Sequence, residues 1–345
     1  MNTMKTHASV LAVDVGYGNT KVAVRNGSEV STFMFPSLTP DYQAKTMTKQ
    51  SNGVLKAVRT VGIEVNGKQY EVGPEVPLTS RNGDPGRTLV GNYCTTDSYE
   101  ALLGGAFHFA NVSSVDRLVL GLPVQTFQQH AEALRSKFSG TLQFGDEEVR
   151  VGNLMVLPQP LGALVHFSQH PDFAPSQRNM IIDVGYYTTD WVVAKGLTME
   201  ERRSGGHQSG ASHFFQKMAE LIGAATNESA LAIEEIDEAA RAGTPYYVFN
   251  EEIDLGHYAA QAQSVPEAAV NAIGNSVGST NDIRCIFLTG GGAALYEPAI
   301  RAFFPRNRIE VMKNACFSNV RGFFAAGEAT LMRERDKKRK EAMTA

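Results

Sequence analysis

Apolar residues run almost unbroken through SVLAVDVG, residues 9–16, as in a strand buried on both faces, and a second apolar strand follows from Thr20 to Val24. Asn26-Gly27 then turns the chain towards VSTFMF, so this segment predicts an antiparallel meander that opens a sheet. Residues 36–60 are polar and punctuated by Pro and Gly. Beyond them TVGIEVNGKQYEVG alternates around Asn66-Gly67, a tight-hairpin signal, and a small subdomain is expected around residues 31–95.

From Thr96, TDSYEALLGGAFHFA combines a cap-like start, Glu100 in the first turn and apolar residues at helical spacing. LVLGLPV, residues 118–124, reads as a buried strand, and QTFQQHAEALRSKFSG as an amphipathic helix ending at Gly140. TLQFGDEEVRVGNLMVLPQPLGALVHF predicts a hairpin, a further strand and a helix start, with the crossover to a second half at Pro158–Pro160. That half repeats the plan: strand-turn-strand over 180–194, a mostly helical stretch over 208–276, then strand, glycine turn and helix in CIFLTGGGAALYEPAIRAFF. Strands alternating with helices mean an α/β fold.

The repetition extends to residue identity. VDVGYGNTKVAV, residues 13–24, and IDVGYYTTDWVV, residues 182–193, agree at six of twelve positions and place Asp14 and Asp183 169 residues apart. A spacing that long points to duplication of a half-molecule rather than to a short repeat.

Composition narrows the function classes. A chain of 345 residues, 43% apolar, is long enough for two cores. A formal charge of −4 gives no footprint for wrapping a polyanion, so direct nucleic-acid binding is not expected. Cys94, Cys285 and Cys316 are widely spaced and never form CxxC, which fits reduced thiols in a cytoplasmic protein. No apolar run reaches the length of a membrane span or a secretory leader, so no membrane partner is expected. The C-terminal RERDKKRKEA carries six basic and three acidic side chains and continues a helix expected to start near Arg321, read as a solvated helix end.

In each copy an aspartate ends a buried strand and a short loop turns into the next strand, a β-hairpin able to wrap phosphates. Gly16 and Gly185 let the backbone approach, successive N–H groups such as those of Gly18 and Tyr186 and the hydroxyls of Thr20, Thr188 and Thr189 bring donors, and Asp14 and Asp183 face an accompanying metal. Either copy alone is equally a strand ending in a turn; the duplication makes it a candidate site. A third element, LTGGGAAL, sets Gly290, Gly291 and Gly292 between a strand and a helix, where backbone can approach a ligand. It fits neither GxGxxG nor a Walker loop.

Taken in order, Asp14–Lys21, Pro158–Ala163, Asp183–Asp190, Gly290–Gly292 and Asn319–Gly327 resemble the five-part signature of the actin, heat-shock chaperone and sugar kinase superfamily. Within it the chain is most similar to the bacterial actin-like plasmid-segregation ATPases of the ParM and StbA type, through FPSLTP, VNGKQYEVG, TDSYEALLGGAFHF, LGLPV and DVGYYTTDWVV. The resemblance implies an actin-like ATPase fold, α/β, with two related domains, each a mixed sheet flanked by helices, and a nucleotide cleft between them. It implies a first domain of residues 1–157, completed by the helix 318–345, and a second domain of 158–317. It also implies ATP, with GTP as the alternative, and Mg²⁺ held through water by Asp14 and Asp183, with Lys21, Thr20 and Asn19 on one side of the phosphates and Thr188 and Thr189 on the other. Gln159 stands where many ParM-like chains carry glutamate; an amide can orient the attacking water but is a poor base, which suits slow hydrolysis. Tyr17, Tyr186 and Tyr187 are expected to pack under the loops.

The implied function is a filament-forming ATPase that adds subunits head to tail and meets plasmid DNA through a DNA-binding adaptor. The alternatives on this fold are a small-molecule kinase, for which Asp190 is the candidate base, and a non-polymerising nucleotide sensor or chaperone. The long substrate domain of heat-shock chaperones is not among these 345 residues.

Overall fold

The structure is a computed structural model that describes residues 5–42, 58–77, 87–229 and 231–344. It opens on the expected meander, β1 (Thr6–Val15), β2 (Asn19–Asn26) and β3 (Glu29–Pro36). The Asn66-Gly67 hairpin follows as β4 (Val61–Val65) and β5 (Lys68–Val72), with both turn residues at positive φ. Helix α1 (Asp97–Ala110) starts as its sequence predicts, the Thr96 hydroxyl accepting from the Tyr99 N–H. Next come β6 (Val112–Leu122), α2 (Val124–Lys137), β7 (Gly140–Phe144), β8 (Glu147–Pro158) and α3 (Gln159–Phe167). Strand β6 begins six residues before the expected LVLGLPV, because its more polar first residues still pair with β1 from Thr6↔Val112 onward.

The second half begins with β9 (Arg178–Val184) and β10 (Thr189–Lys195), then the short β11 (Thr198–Met199) and β12 (Gly205–His207). The stretch expected to be mostly helical holds α4 (Ala211–Thr226) and α5 (Ile233–Ala242), then a hairpin of β13 (Tyr246–Val248) and β14 (Glu251–Ile253), then α6 (Leu255–Gln261) and α7 (Ser264–Val277). The stretch is mostly helical as expected, and the hairpin within it carries no sequence signal because three-residue strands are too short to show a period against their helical flanks. The chain closes with β15 (Cys285–Thr289), α8 (Ala293–Phe303), β16 (Arg308–Val311) and α9 (Ser318–Thr344).

Two compact units divide the described residues, the first taking those up to Pro77, those through Phe173 and those from Phe317 on, the second taking Ala174–Cys316. The first unit has a six-stranded mixed sheet, order β3-β2-β1-β6-β8-β7, parallel at β1/β6 and β6/β8. Helix α9 lies on it through Val320, Phe323 and Phe324, which pack against Val10, Ala12, Ala23 and Val119. Each buried phenylalanine contributes roughly 1.5–3 kcal/mol. Helices α3 and α9 cross at glycines: a Cβ on Gly322 would overlap the Gly162 carbonyl, and one on Gly162 would lie 2.6 Å from the Asn319 carbonyl. This packing gives α3 to the first unit, whereas the sequence reading started the second domain at Pro158.

The second unit repeats the first sheet's order as β11-β10-β9-β15-β16, with β12 also on β10 and parallel pairing at β9/β15 and β15/β16. One core, from Met180, Ile182, Ile286, Leu288, Ile273 and Tyr296 among others, lies under α7 and α8. A second core gathers Phe214, Phe215, Met218 and Ile222 of α4 with Ile236 of α5 and with Tyr246 and Val248 of the hairpin. The basic end of α9 is exposed, its side chains paired where Arg335 meets Asp116 and Lys337 meets Glu341. Among the described residues no helix is long and apolar enough to cross a membrane.

Candidate functional site

Pairing fixes the two loops in matching register. Val15↔Thr20 and Asp14↔Lys21 close the first; Val184↔Thr189 and Asp183↔Asp190 close the second. Each begins with a glycine held against the carbonyl three residues on: a Cβ on Gly16 would lie 3.1 Å from the Asn19 oxygen, and one on Gly185 3.0 Å from the Thr188 oxygen. A larger residue at either position would need the facing carbonyl to give by a few tenths of an ångström.

In both loops three successive carbonyls are tied from one side. In the first, the Ser37 hydroxyl donates to the Gly16 carbonyl at 2.6 Å, and Arg87 Nη1 donates to those of Tyr17 and Gly18 at 2.7 Å each. In the second, the N–H groups that start α4 do the same work: Ala211 donates to Gly185 at 3.0 Å, Ser212 to Tyr186 at 2.7 Å and Gly210 to Tyr187 at 2.9 Å. A trans peptide points its N–H opposite to its carbonyl, so the N–H groups of residues 17–19 and 186–188 are turned the other way, as successive donors for an anion. Gly210 is needed there, since a Cβ would lie 2.5 Å from the Tyr186 oxygen.

The carboxylate of Asp14, 1% exposed, accepts from Gln159 Nε2 at 2.7 Å on one oxygen and from Lys21 Nζ at 3.0 Å on the other. Asp14, Gln159 and the part-buried Lys21 therefore form one group, with Gln159 delivered by the junction of β8 and α3. Asp183 is likewise buried at the end of β9, and the glycine turn lies on it: Gly290 has φ +87°, and a Cβ there would overlap both the Asp183 carboxylate and the Val184 carbonyl. Gly292 N–H donates to the Val184 carbonyl at 2.8 Å, and a Cβ on Gly291 would meet nothing within 4 Å. Asp183, Gly185 and Gly290–Gly292 are thus one assembly within the second unit.

The threonines separate by burial. Thr20 and Thr189, 0% and 1% exposed, spend their hydroxyls inside the fold, Thr20 on Ser37 Oγ at 3.0 Å and Thr189 on the Ser209 carbonyl at 2.8 Å. Their outward neighbours Asn19 and Thr188 are half-buried at equivalent positions. Tyr17 packs under its loop as expected, stacked on Tyr93 at 4.7 Å with its hydroxyl on the Val90 carbonyl. Tyr187 stacks on His213 at 5.6 Å, and burial lowers the His213 pKa.

Among the described residues no cluster of three or more His, Cys, Asp or Glu side chains is placed to hold a metal directly. A buried carboxylate in each unit, Asp14 in the first and Asp183 in the second, is the donor chemistry of a cation that keeps its waters rather than of a directly ligated metal. Ser37, Arg87 and Ser209–Ser212 were not identified from sequence. Ser37 lies in the quoted FPSLTP, but the reach of Arg87 to the first loop leaves no sequence signal.

Residues 12–162 match the family model described as the N-terminal domain of actin-like proteins, and residues 181–302 that of the archaeal actin homologue MreB-like C-terminal domain. No curated protein matches in sequence. Among solved structures, the ParM of a 15-stranded filament from Clostridium botulinum superposes with a TM-score of 0.73 at 20% identity, covering 94% of this chain and 100% of its own. An archaeal actin homologue in complex with ADP gives 0.71 at 18% identity, covering 93% and 99%. Apo pSK41 ParM gives 0.62 at 18%, covering 95% and 98%.

Proposed function

Because the chain belongs to the actin-like proteins, we propose that it is a nucleotide-dependent, filament-forming ATPase of the ParM type. The observation that carries the nucleotide reading is the paired construction of the loops, in which three carbonyls are held back and three N–H groups turned outward in each copy. Each such loop suits a phosphate group, and the ADP complex of the archaeal homologue supports a nucleotide as the ligand. ATP is preferred, with GTP the alternative. Bound magnesium would neutralise phosphate charge. Asp14 and Asp183 would hold its waters, Lys21 and Asn19 would meet the phosphates from the first loop, and Thr188 from the second.

In this reading Gln159 orients the lytic water. Its Nε2 donates to Asp14, and its amide oxygen is the group that would accept from the water. Positioning of this kind, without a strong base, suits hydrolysis that follows assembly. The kinase alternative needs an exposed carboxylate near an acceptor hydroxyl, and Asp190 is 2% exposed within the β10 ladder.

In this reading subunits add head to tail in the cytoplasm, and an adaptor joins the filament to plasmid DNA. The ParM filament among the neighbours supports self-assembly. Thermal unfolding with and without nucleotide tests the site: ATP plus magnesium should raise the melting temperature by mass action, and the shift should vanish in Asp183→Ala. An unchanged melting temperature at millimolar ATP would refute it.

A further inference from the structure

Strands β1 and β6 pair in parallel as far as Val13↔Leu120, but β1 runs on to Val15 and β6 to Leu122. Beyond that last pair lies a small cavity, bounded by Val15, Gly121 and Leu122 and by three residues with polar side chains, Tyr99, Thr126 and Gln159. It offers about 10 Å³ to the centre of a water molecule, which is room for one.

Tyr99 is brought there by the start of α1, where its N–H is the one that the Thr96 hydroxyl caps. Its ring is closed in by Tyr93 at 5.6 Å and Phe138 at 6.1 Å, and the residue is 1% exposed. Among the described residues its buried hydroxyl has no hydrogen-bond partner. Folded proteins rarely leave such a group unsatisfied, and an ordered water is a common partner. Burial, with Cys94, Tyr93 and Asp14 adding in the same direction, holds the Tyr99 pKa well above its usual value, so the hydroxyl stays protonated and can donate.

Gln159 meets the same cavity. Its stem lies on Gly121, where a Cβ would come within 3.1 Å of the Gln159 Cγ, and its Nε2 donates to Asp14 Oδ1 at 2.7 Å. An amide nitrogen carries two N–H groups, so a second one remains to be given. Thr126 donates its hydroxyl to the Pro123 carbonyl at 3.3 Å, which leaves its oxygen able to accept.

We propose that this cavity binds one water, which accepts from the Tyr99 hydroxyl and from the second N–H of Gln159 and donates to the Thr126 hydroxyl. Three polar partners are what a buried water ordinarily has. Tyr99 is then a positioning residue: with both N–H groups held, the plane of the Gln159 amide is set and its oxygen is kept for the lytic water. The inference deepens the ATPase reading and rests on it.

Tyr99→Phe removes one hydroxyl and keeps the ring. Turnover should fall about three- to tenfold, the effect of one neutral hydrogen bond, with the nucleotide dissociation constant unchanged. In a Gln159→Ala background the same change should leave turnover where Gln159→Ala puts it, because Tyr99 acts only through that amide. The melting temperature of Tyr99→Phe should hold or fall, whereas loss of a hydroxyl without a partner would raise it. A crystal structure of the wild-type chain should show the water between Tyr99 and Gln159. Wild-type turnover in Tyr99→Phe, an equal loss in both backgrounds, a raised melting temperature or a cavity without the water would overturn the proposal. Absence of hydrolysis by the wild type with every nucleotide would instead sink the ATPase reading, and the water site would then stand or fall on the crystal structure and the melting temperature.

Discussion

Replacing Gln159 with alanine removes the donor to a buried carboxylate. Asp14 Oδ1 then faces the interior with Lys21 as its remaining charged partner on the other oxygen. Loss of a hydrogen bond to a charged buried group costs about 1.5–3 kcal/mol. At roughly 2–4 °C per kcal/mol for a unit of this size, the melting temperature should fall by about 3–12 °C. Turnover should fall further than stability, by about one to three orders of magnitude, because the water loses its orienting group. Gln159→Glu would replace that donor with a second carboxylate against Asp14, so its stability deficit should exceed that of Gln159→Ala. Calorimetry and phosphate release on the same samples separate the effects. A melting temperature within 1 °C of wild type would show that the Gln159–Asp14 bond contributes nothing, and wild-type turnover would refute the positioning role. Filaments of Gln159→Ala should form and outlast those of the wild type.

The adjacent threonines should behave oppositely in paired binding and melting measurements. Thr189→Val, which removes one of the two donors to the Ser209 carbonyl and leaves the Tyr296 hydroxyl, should cost about 0.5–1.5 kcal/mol of stability with nucleotide affinity kept, whereas Thr188→Ala should weaken nucleotide binding with stability kept; equal behaviour would contradict the split. His213 has a lowered folded pKa from burial, so its contribution is complete above the unfolded value near 6.5 and is lost as pH falls through the folded value. Melting curves between pH 8 and 5 should therefore fall on the acid side, and His213→Phe should flatten that limb; an unchanged slope would remove His213 as the cause.

Much of the fold was legible because duplication and burial both leave marks on sequence. The two DVGY copies, the Asn66-Gly67 turn and the Thr96 cap each carry a local signal, and each sits where that signal put it. What escaped is non-local. Thr20 and Thr189 look like phosphate donors in a motif, yet strand alternation turns them inward onto Ser37 and the Ser209 carbonyl. Arg87 lies 70 residues from Tyr17, whose carbonyl it holds. The hairpin of β13 and β14 leaves no mark within its helical stretch because three-residue strands give no period. The polar, Pro- and Gly-punctuated stretch 36–60 falls largely on 43–57, outside the described residues.

Right-angle light scattering of the purified chain, titrated in protein concentration with magnesium and ATP, GTP or no nucleotide, tests the central claim most directly. A nucleotide-dependent threshold, with scattering flat below it and linear above it, is the predicted result. Scattering that stays flat with every nucleotide, or is the same without one, would contradict it.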